Sequence, residues 1–226
     1  MSDRNSFLSK IKSETARGRA HRVAINPAAT AEAAYVGGGD DLAATLLAEW
    51  IAVGGMGKRV SSAADVHAYL SKMITQYHVK RAIRWKHDLL DLVAIDSVLA
   101  AANVSVRSWD ELAREPSDAR WPEAFAADLG ITSVDWAVAE TGTLALCSRH
   151  EQGRVVSLLP PVYLAIVEPS QIVPDLFDLF AKLEDHKQNL PSNIALVTGP
   201  SKTGDIELKL TTGVHGPGEV HLLIVE

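Results

Sequence analysis

The stretch that decides the fold is residues 58–107, KRVSSAADVHAYLSKMITQYHVKRAIRWKHDLLDLVAIDSVLAAANVSVR. Three short segments in it are predicted as strands, over 58–60, 79–85 and 104–107. Helices are predicted between them, and the first of these repeats apolar residues at helical spacing through Val66, Leu70, Met73 and Ile74. Alternating strands and helices require crossover connections, so the pattern predicts an α/β domain with a largely parallel sheet.

The chain before this stretch divides into two parts. Residues 2–17 are predicted as a helix, and residues 18–36 show no sustained period and read as a linker. Residues 1–22 carry six Lys or Arg against Asp3 and Glu14, a net charge of +4. The predicted organisation is therefore a basic N-terminal helix and linker over 1–36, followed by one α/β domain over 37–226.

The chain after this stretch continues the pattern with less regularity. Strands are predicted over 133–147 (two strands broken at 140–143), 163–167, 193–198 and 220–225. A helix that starts at Pro174 has an apolar face of Leu176, Phe177, Phe180 and Leu183, which predicts that this face is buried. Residues 205–210 are predicted to form one or two helical turns.

Composition excludes several classes of protein. The 226 residues carry a net charge of −6, whereas a protein that binds a phosphate backbone normally has a basic surface, so nucleic acid is not expected as a partner. Cys147 is the only cysteine; one thiol cannot form an internal disulfide or hold an iron–sulfur cluster by itself. No apolar run reaches the length of a membrane span. We expect a cytoplasmic protein without a metal or redox cofactor of its own.

Three loops concentrate the residues that can carry chemistry. They are 139–143 (AETGT), 198–205 (TGPSKTGD) and 213–218 (GVHGPG). Glycines let a backbone approach a ligand, and free N–H groups after a strand can bind an anion. Candidates for proton transfer are Glu140, Asp205 and His215, and candidates for ligand binding are Thr141, Gly142, Thr143, Ser201, Thr203 and Gly216. We expect them to share one pocket at the carboxyl end of the sheet; the alternative is that all three loops are ordinary turns.

Taken in order, these loops resemble the signatures of the LUD-domain family. The matching segments are 130–132 (GIT), 137–143 (AVAETGT), 199–207 (GPSKTGDIE) and 213–217 (GVHGP). Gly204 departs from the family pattern, which has alanine there. The first 120 residues resemble the family only in general layout.

The resemblance implies a Rossmann-like sheet of the NagB/RpiA/CoA-transferase type. It also implies membership of a three-component lactate-utilisation system that oxidises L-lactate to pyruvate, in which iron–sulfur proteins are the partners. The protein itself would lack a redox centre and would bind a small anionic ligand. No catalytic residue follows from the resemblance.

Two alternatives stay open at this point. The chain could be a stand-alone enzyme of the CoA-transferase or sugar-phosphate isomerase class, with Glu140 as nucleophile or base. It could instead be a non-catalytic assembly subunit that docks through its basic N-terminal helix.

Overall fold

The computed structural model describes residues 2–19, 37–204 and 210–226. It forms two units, which are described separately. The first contains helix α1, Ser2–Arg19, in which Phe7, Leu8 and Ile11 are exposed. The second begins at Gly37 and is a mixed α/β unit. The division of the chain into an N-terminal segment and one LUD domain remains a prediction.

A six-stranded, fully parallel sheet is the centre of the second unit. Its strand order is β1-β12-β7-β4-β2-β3, and every neighbouring pair runs parallel. The strands are β1 (Met56–Val60), β2 (Arg81–Arg84), β3 (Ser105–Ser108), β4 (Leu129–Thr132), β7 (Val162–Val167) and β12 (Glu219–Val225). All residues of β4 and β7 are buried, as expected for strands covered on both faces.

Helices connect these strands. They are α2 (Leu42–Ala52), α3 (Ala63–Gln76), α4 (Asp88–Leu92), α5 (Ile95–Ala101), α6 (Trp109–Arg114), α7 (Ser117–Phe125) and α8 (Val155–Leu158). The side chain of Asp41 caps α2 by accepting from Ala44 N, and Ser62 caps α3 by accepting from Asp65 N. The α/β class with a mainly parallel sheet is therefore confirmed.

One predicted helix is divided. The helix predicted between the strands at 79–85 and 104–107 is two helices, α4 and α5, which are separated at Ala94, whose φ of 50° is left-handed. The apolar period continues across the break because Leu90, Ile95 and Leu99 all reach the core. Periodicity alone therefore does not reveal the interruption.

A second, smaller sheet packs beside the first and was not anticipated as a separate layer. Its strand order is β8-β5-β6-β9, and β6 runs antiparallel to both of its neighbours. The strands are β5 (Trp136–Val138), β6 (Thr143–Cys147), β8 (Ile172–Val173) and β9 (Ile194–Val197). Helix α9, Leu176–Asp185, contacts this sheet through β5 and β8.

The predicted face of α9 is wrong in part. Leu179 is fully buried, whereas the side chains of Phe177 and Phe180 are 79% and 57% exposed. Leu176 and Leu183 of the predicted face are partly buried and pack against the small cluster that contains Leu179, so the helix is covered along only part of the predicted face.

Two short strands flank the segment that was predicted as one or two helical turns. Strands β10 (Lys202–Gly204) and β11 (Leu210–Thr212) pair antiparallel. Leu210 is thus in a strand, while the remaining residues of the predicted turns, 205–209, lie outside the described residues. None of the helices in the described ranges combines the length and apolarity that a membrane crossing requires.

Candidate functional site

The first of the three loops is held by hydrogen bonds on both sides. Glu140 N donates to Pro174 O (3.0 Å), which attaches the loop to the start of α9. The hydroxyl of Thr143 is buried and lies 2.8 Å from the hydroxyl of Thr141 and 2.8 Å from that of Thr198. The first and second loops are therefore joined through a row of three hydroxyl groups.

Both of these loops press against the end of α2. Gly142 has a φ of 61°, and a Cβ added there would lie 2.6 Å from Trp50 N. Gly199 has a φ of 74°, and its Cβ would lie 2.8 Å from a methyl group of Val53. The Lys202 ammonium donates to Val53 O (2.6 Å), a favourable position for a cation because carbonyl groups are unpaired at a helix C-terminus.

The third loop is bonded to the second. Ser201 N donates to Pro217 O (2.9 Å), and Gly213 N donates to Ser201 O (3.0 Å). A Cβ added at Gly216 would lie 3.3 Å from Ser201 Cβ, so these two positions are in close contact. His215 projects from this loop as an exposed side chain.

The three loops lie at the opposite end of the parallel sheet from the one predicted. The third loop leads into β12, and Gly218 N and Glu219 N both donate to Pro161 O immediately before β7. The loop cluster is therefore next to the amino ends of β7 and β12. The prediction failed because it treated β9 as a strand of the parallel sheet, whereas β9 belongs to the second sheet and pairs antiparallel with β6.

The candidate residues fall into three groups. Hydrogen bonds join Thr141 and Thr143 to Thr198, Ser201 contacts Gly216, and Gly142 packs against α2. Thr203 lies in β10 opposite Thr211. Glu140 is partly buried and His215 exposed, and within the described chain no hydrogen bond or ion pair joins them. Asp205 lies outside the described residues. A single pocket that contains all of these residues remains a prediction.

A hydrogen-bonded histidine was missed as part of any site. His221, on β12, is buried; its Nδ1 lies 2.8 Å from the Tyr69 hydroxyl and its Nε2 lies 3.2 Å from the Tyr77 hydroxyl. Tyr77 in turn donates to Glu219 Oε2 (3.3 Å). Burial lowers the pKa of His221 to about 4, which keeps the ring neutral near pH 7. The described residues contain no group of three metal-ligating side chains.

Cys147 is a core residue of β6. Burial is the main cause that raises the pKa of its thiol to about 11, with the nearby charge of Asp135 adding to the effect. The thiolate is the nucleophilic form of cysteine, so this environment disfavours nucleophilic chemistry at neutral pH. Its position is that of a small apolar core residue.

Comparisons with known proteins match this fold to one family. The LUD-domain model matches residues 43–225. "Lactate utilization protein C" of Shouchella clausii is 30% identical over 230 residues, covering 99% of this chain and 98% of that protein. The protein of the same name from Halalkalibacterium halodurans is 35% identical over 160 residues, which is 70% of this chain and 67% of that protein.

A solved structure supports the same fold. The crystal structure of a DUF162 family protein from Deinococcus radiodurans superimposes with a TM-score of 0.57 at 21% identity, over 82% of this chain and 96% of that one. At this identity the likeness concerns the fold alone. The matched range of the family model contains all three loops whose sequence carried the resemblance, and the family assignment made from those loops is confirmed. The chain belongs to the LUD-domain family.

Proposed function

We propose that this chain is a component of a lactate-utilisation system that oxidises L-lactate to pyruvate, and that it contains no redox centre itself. The observation that carries the proposal is the similarity to a lactate utilization protein C along 99% of the chain. The sequence has one cysteine, and one thiol cannot hold an iron–sulfur cluster alone. Electron transfer is therefore assigned to partners that hold iron–sulfur clusters.

An exposed apolar surface supports association with such partners. Phe177 and Phe180 are one helical turn apart on α9, and more than half of each side chain is exposed. Neighbouring exposed aromatic side chains are typical of surfaces that bind another protein. The basic residues of 1–22 are a second candidate for contact with partner proteins, because they carry positive charge whereas the rest of the chain is acidic.

A small anionic ligand is proposed to bind at the three-loop cluster. Ser201 and Thr203 lie on the hairpin side of the cluster, and the exposed imidazole of His215 lies on the adjoining loop. Hydroxyl groups and an imidazole N–H are suitable donors to a carboxylate or phosphate. Glu140 and Asp205 remain candidates for proton transfer at this site.

The decisive experiment is growth of a deletion strain of the encoding organism. We expect the strain to lose growth on L-lactate as sole carbon source and to retain growth on pyruvate, because pyruvate enters metabolism after the missing oxidation. A plasmid copy of the gene restores growth on lactate. Equal growth of deletion and parent strains on lactate would exclude the proposed role.

Biochemistry on the purified protein separates the proposed role from that of a stand-alone enzyme. We expect no stoichiometric visible chromophore, no lactate oxidation by the chain alone, and co-purification with cluster-bearing proteins from native cells. Acyl-CoA turnover that Glu140→Gln abolishes would instead establish the transferase class.

A further inference from the structure

A cleft lies at the amino ends of β1 and β12, next to the loop cluster but lined by none of its residues. It has a volume of about 360 Å³ and opens between the end of α2 and one side of α3. Its wall is apolar at Ile51, Met56 and Met73, and its polar side is formed by Tyr69 and His221. This combination of an apolar wall and a few polar groups is typical of small-molecule sites.

The hydrogen bonds at the polar side have a defined direction. A carboxylate accepts hydrogen bonds, so the Tyr77 hydroxyl donates its proton to Glu219. The Tyr77 oxygen must then accept from His221 Nε2–H, and in the neutral ring Nδ1 is left as an acceptor. Tyr69 therefore donates its only proton to His221 Nδ1, at 2.8 Å.

The direction of these hydrogen bonds determines which ligand groups the Tyr69 hydroxyl can bind in the cleft. With its proton committed to His221, the Tyr69 oxygen presents lone pairs only, so it accepts from a ligand hydroxyl and repels a ligand carboxylate. Positive charge is nearby, because Lys72 lines the cleft and Lys58 Nζ lies 5.8 Å from the centre of the Tyr69 ring. A carboxylate is thus attracted to the lysine side of the cleft, while a hydroxyl group fits the tyrosine.

We propose that this cleft binds a hydroxy acid with an apolar chain. Lys72 binds the carboxylate, the Tyr69 oxygen accepts a hydrogen bond from the hydroxyl, and the chain of the ligand lies along Ile51, Met56 and Met73. His221 is a positioning residue, since it holds the Tyr69 proton away from the ligand. None of these residues belongs to the three loops, so the proposal is tested separately from the anionic ligand proposed at the loop cluster.

The test compares 2-hydroxyhexanoate with hexanoate by titration calorimetry on the full chain. Loss of one neutral hydrogen bond corresponds to roughly a fivefold change in affinity, so we expect wild type to bind the hydroxy acid about fivefold more tightly. Tyr69→Phe keeps the ring and should bind both acids equally. L-lactate is three methylenes shorter and should bind at least roughly tenfold more weakly than 2-hydroxyhexanoate, since a fully buried methylene contributes roughly fourfold.

A matched pair of lysine variants tests the carboxylate contact. Lys72→Gln should weaken binding of both acids, whereas Lys80→Gln, which changes an exposed lysine next to β2, should leave binding unchanged. The proposal is overturned if wild type binds neither six-carbon acid at about 10 mM, if it binds the two equally, or if the preference for the hydroxy acid survives in Tyr69→Phe. Melting curves of each variant confirm that a lost preference reflects the site and not unfolding.

Discussion

The substitution Gly142→Ala asks whether the glycine of the AETGT segment is required for packing or for contact with a ligand. The new methyl group would lie 2.6 Å from Trp50 N and 2.7 Å from the carbonyl carbon of Glu49, closer than Cβ atoms approach backbone atoms in real proteins. The φ of 61° adds a second penalty, about 1–2 kcal/mol for a residue with a side chain. Displacing packed backbone costs about 1–3 kcal/mol.

These two contributions add to about 2–5 kcal/mol of lost stability. In a domain of this size each kcal/mol lowers Tm by about 2–4 °C, so we expect Gly142→Ala to lower Tm by roughly 4–20 °C. Gly204→Ala is the matched control. Among the described residues nothing lies within 4 Å of a Cβ added there, and its φ is not left-handed.

Thermal and urea unfolding of both variants beside wild type measures the effect. The Tm of Gly204→Ala should stay within about 2 °C of the wild-type Tm, because replacing this glycine by alanine lowers the entropy of the unfolded chain only slightly. If Gly142→Ala melts at the wild-type temperature, then the contact with α2 does not require glycine, and the reasoning from packing fails. A ligand would then be the better explanation of why glycine occupies this position.

Burial, exposure and charge lead to four further predictions. The His221 pKa falls from 6.5 to about 4 on folding, so its contribution to stability is complete above pH 6.5 and declines as the pH falls toward 4. When urea unfolding is measured at pH 7 and at pH 4, the free energy of unfolding should therefore fall less in His221→Gln than in wild type, by on the order of 3 kcal/mol. The Cys147 thiol, with its pKa raised to about 11, should react with a thiol reagent many times more slowly in the native protein at pH 7.5 than in urea, and equal rates would contradict its burial. The double variant Phe177→Ser, Phe180→Ser should weaken co-purification with partner proteins and leave Tm unchanged. Removal of residues 1–22 should also weaken co-purification, and this loss should depend on the salt concentration. If either variant lost its melting transition, the changed residues would belong to the core instead.

Much of the fold could be predicted from local pattern, because short strands alternate with amphipathic helices over 58–107, although strand β4 of the parallel sheet was not predicted. The prediction of the fold was least accurate where tertiary packing determines which residues are buried and which strands pair. On α9 the spacing of Phe177 and Phe180 indicates an apolar face, but spacing carries no information about how much of that face this chain covers. Likewise, β9 has the composition of a buried strand, and composition does not say to which sheet a strand belongs.

In the candidate site, too, some features could be predicted from the sequence and others depend on tertiary packing. The order of the three loops identified the family, and hydrogen bonds do join neighbouring loops through Thr143, Thr198 and Ser201. Their position relative to the sheet could not be predicted, because it depends on the antiparallel pairing of β6 with β9. The contact of His221 with Tyr69 spans 152 positions of sequence, and no motif connects the two residues.

Packing also changes which residues of the signature deserve functional tests. Gly142 and Gly199 are explained by their close approach to α2, and Lys202 by its bond to Val53 O. Packing alone gives each of these residues a structural role, whether or not the protein binds a ligand. Glu140 and His215 differ, since no side-chain hydrogen bond or ion pair within the described chain occupies either of them. A family signature therefore combines residues that hold α2 in place with residues that remain available for chemistry, and only substitutions of the second kind can test a function without also testing the fold.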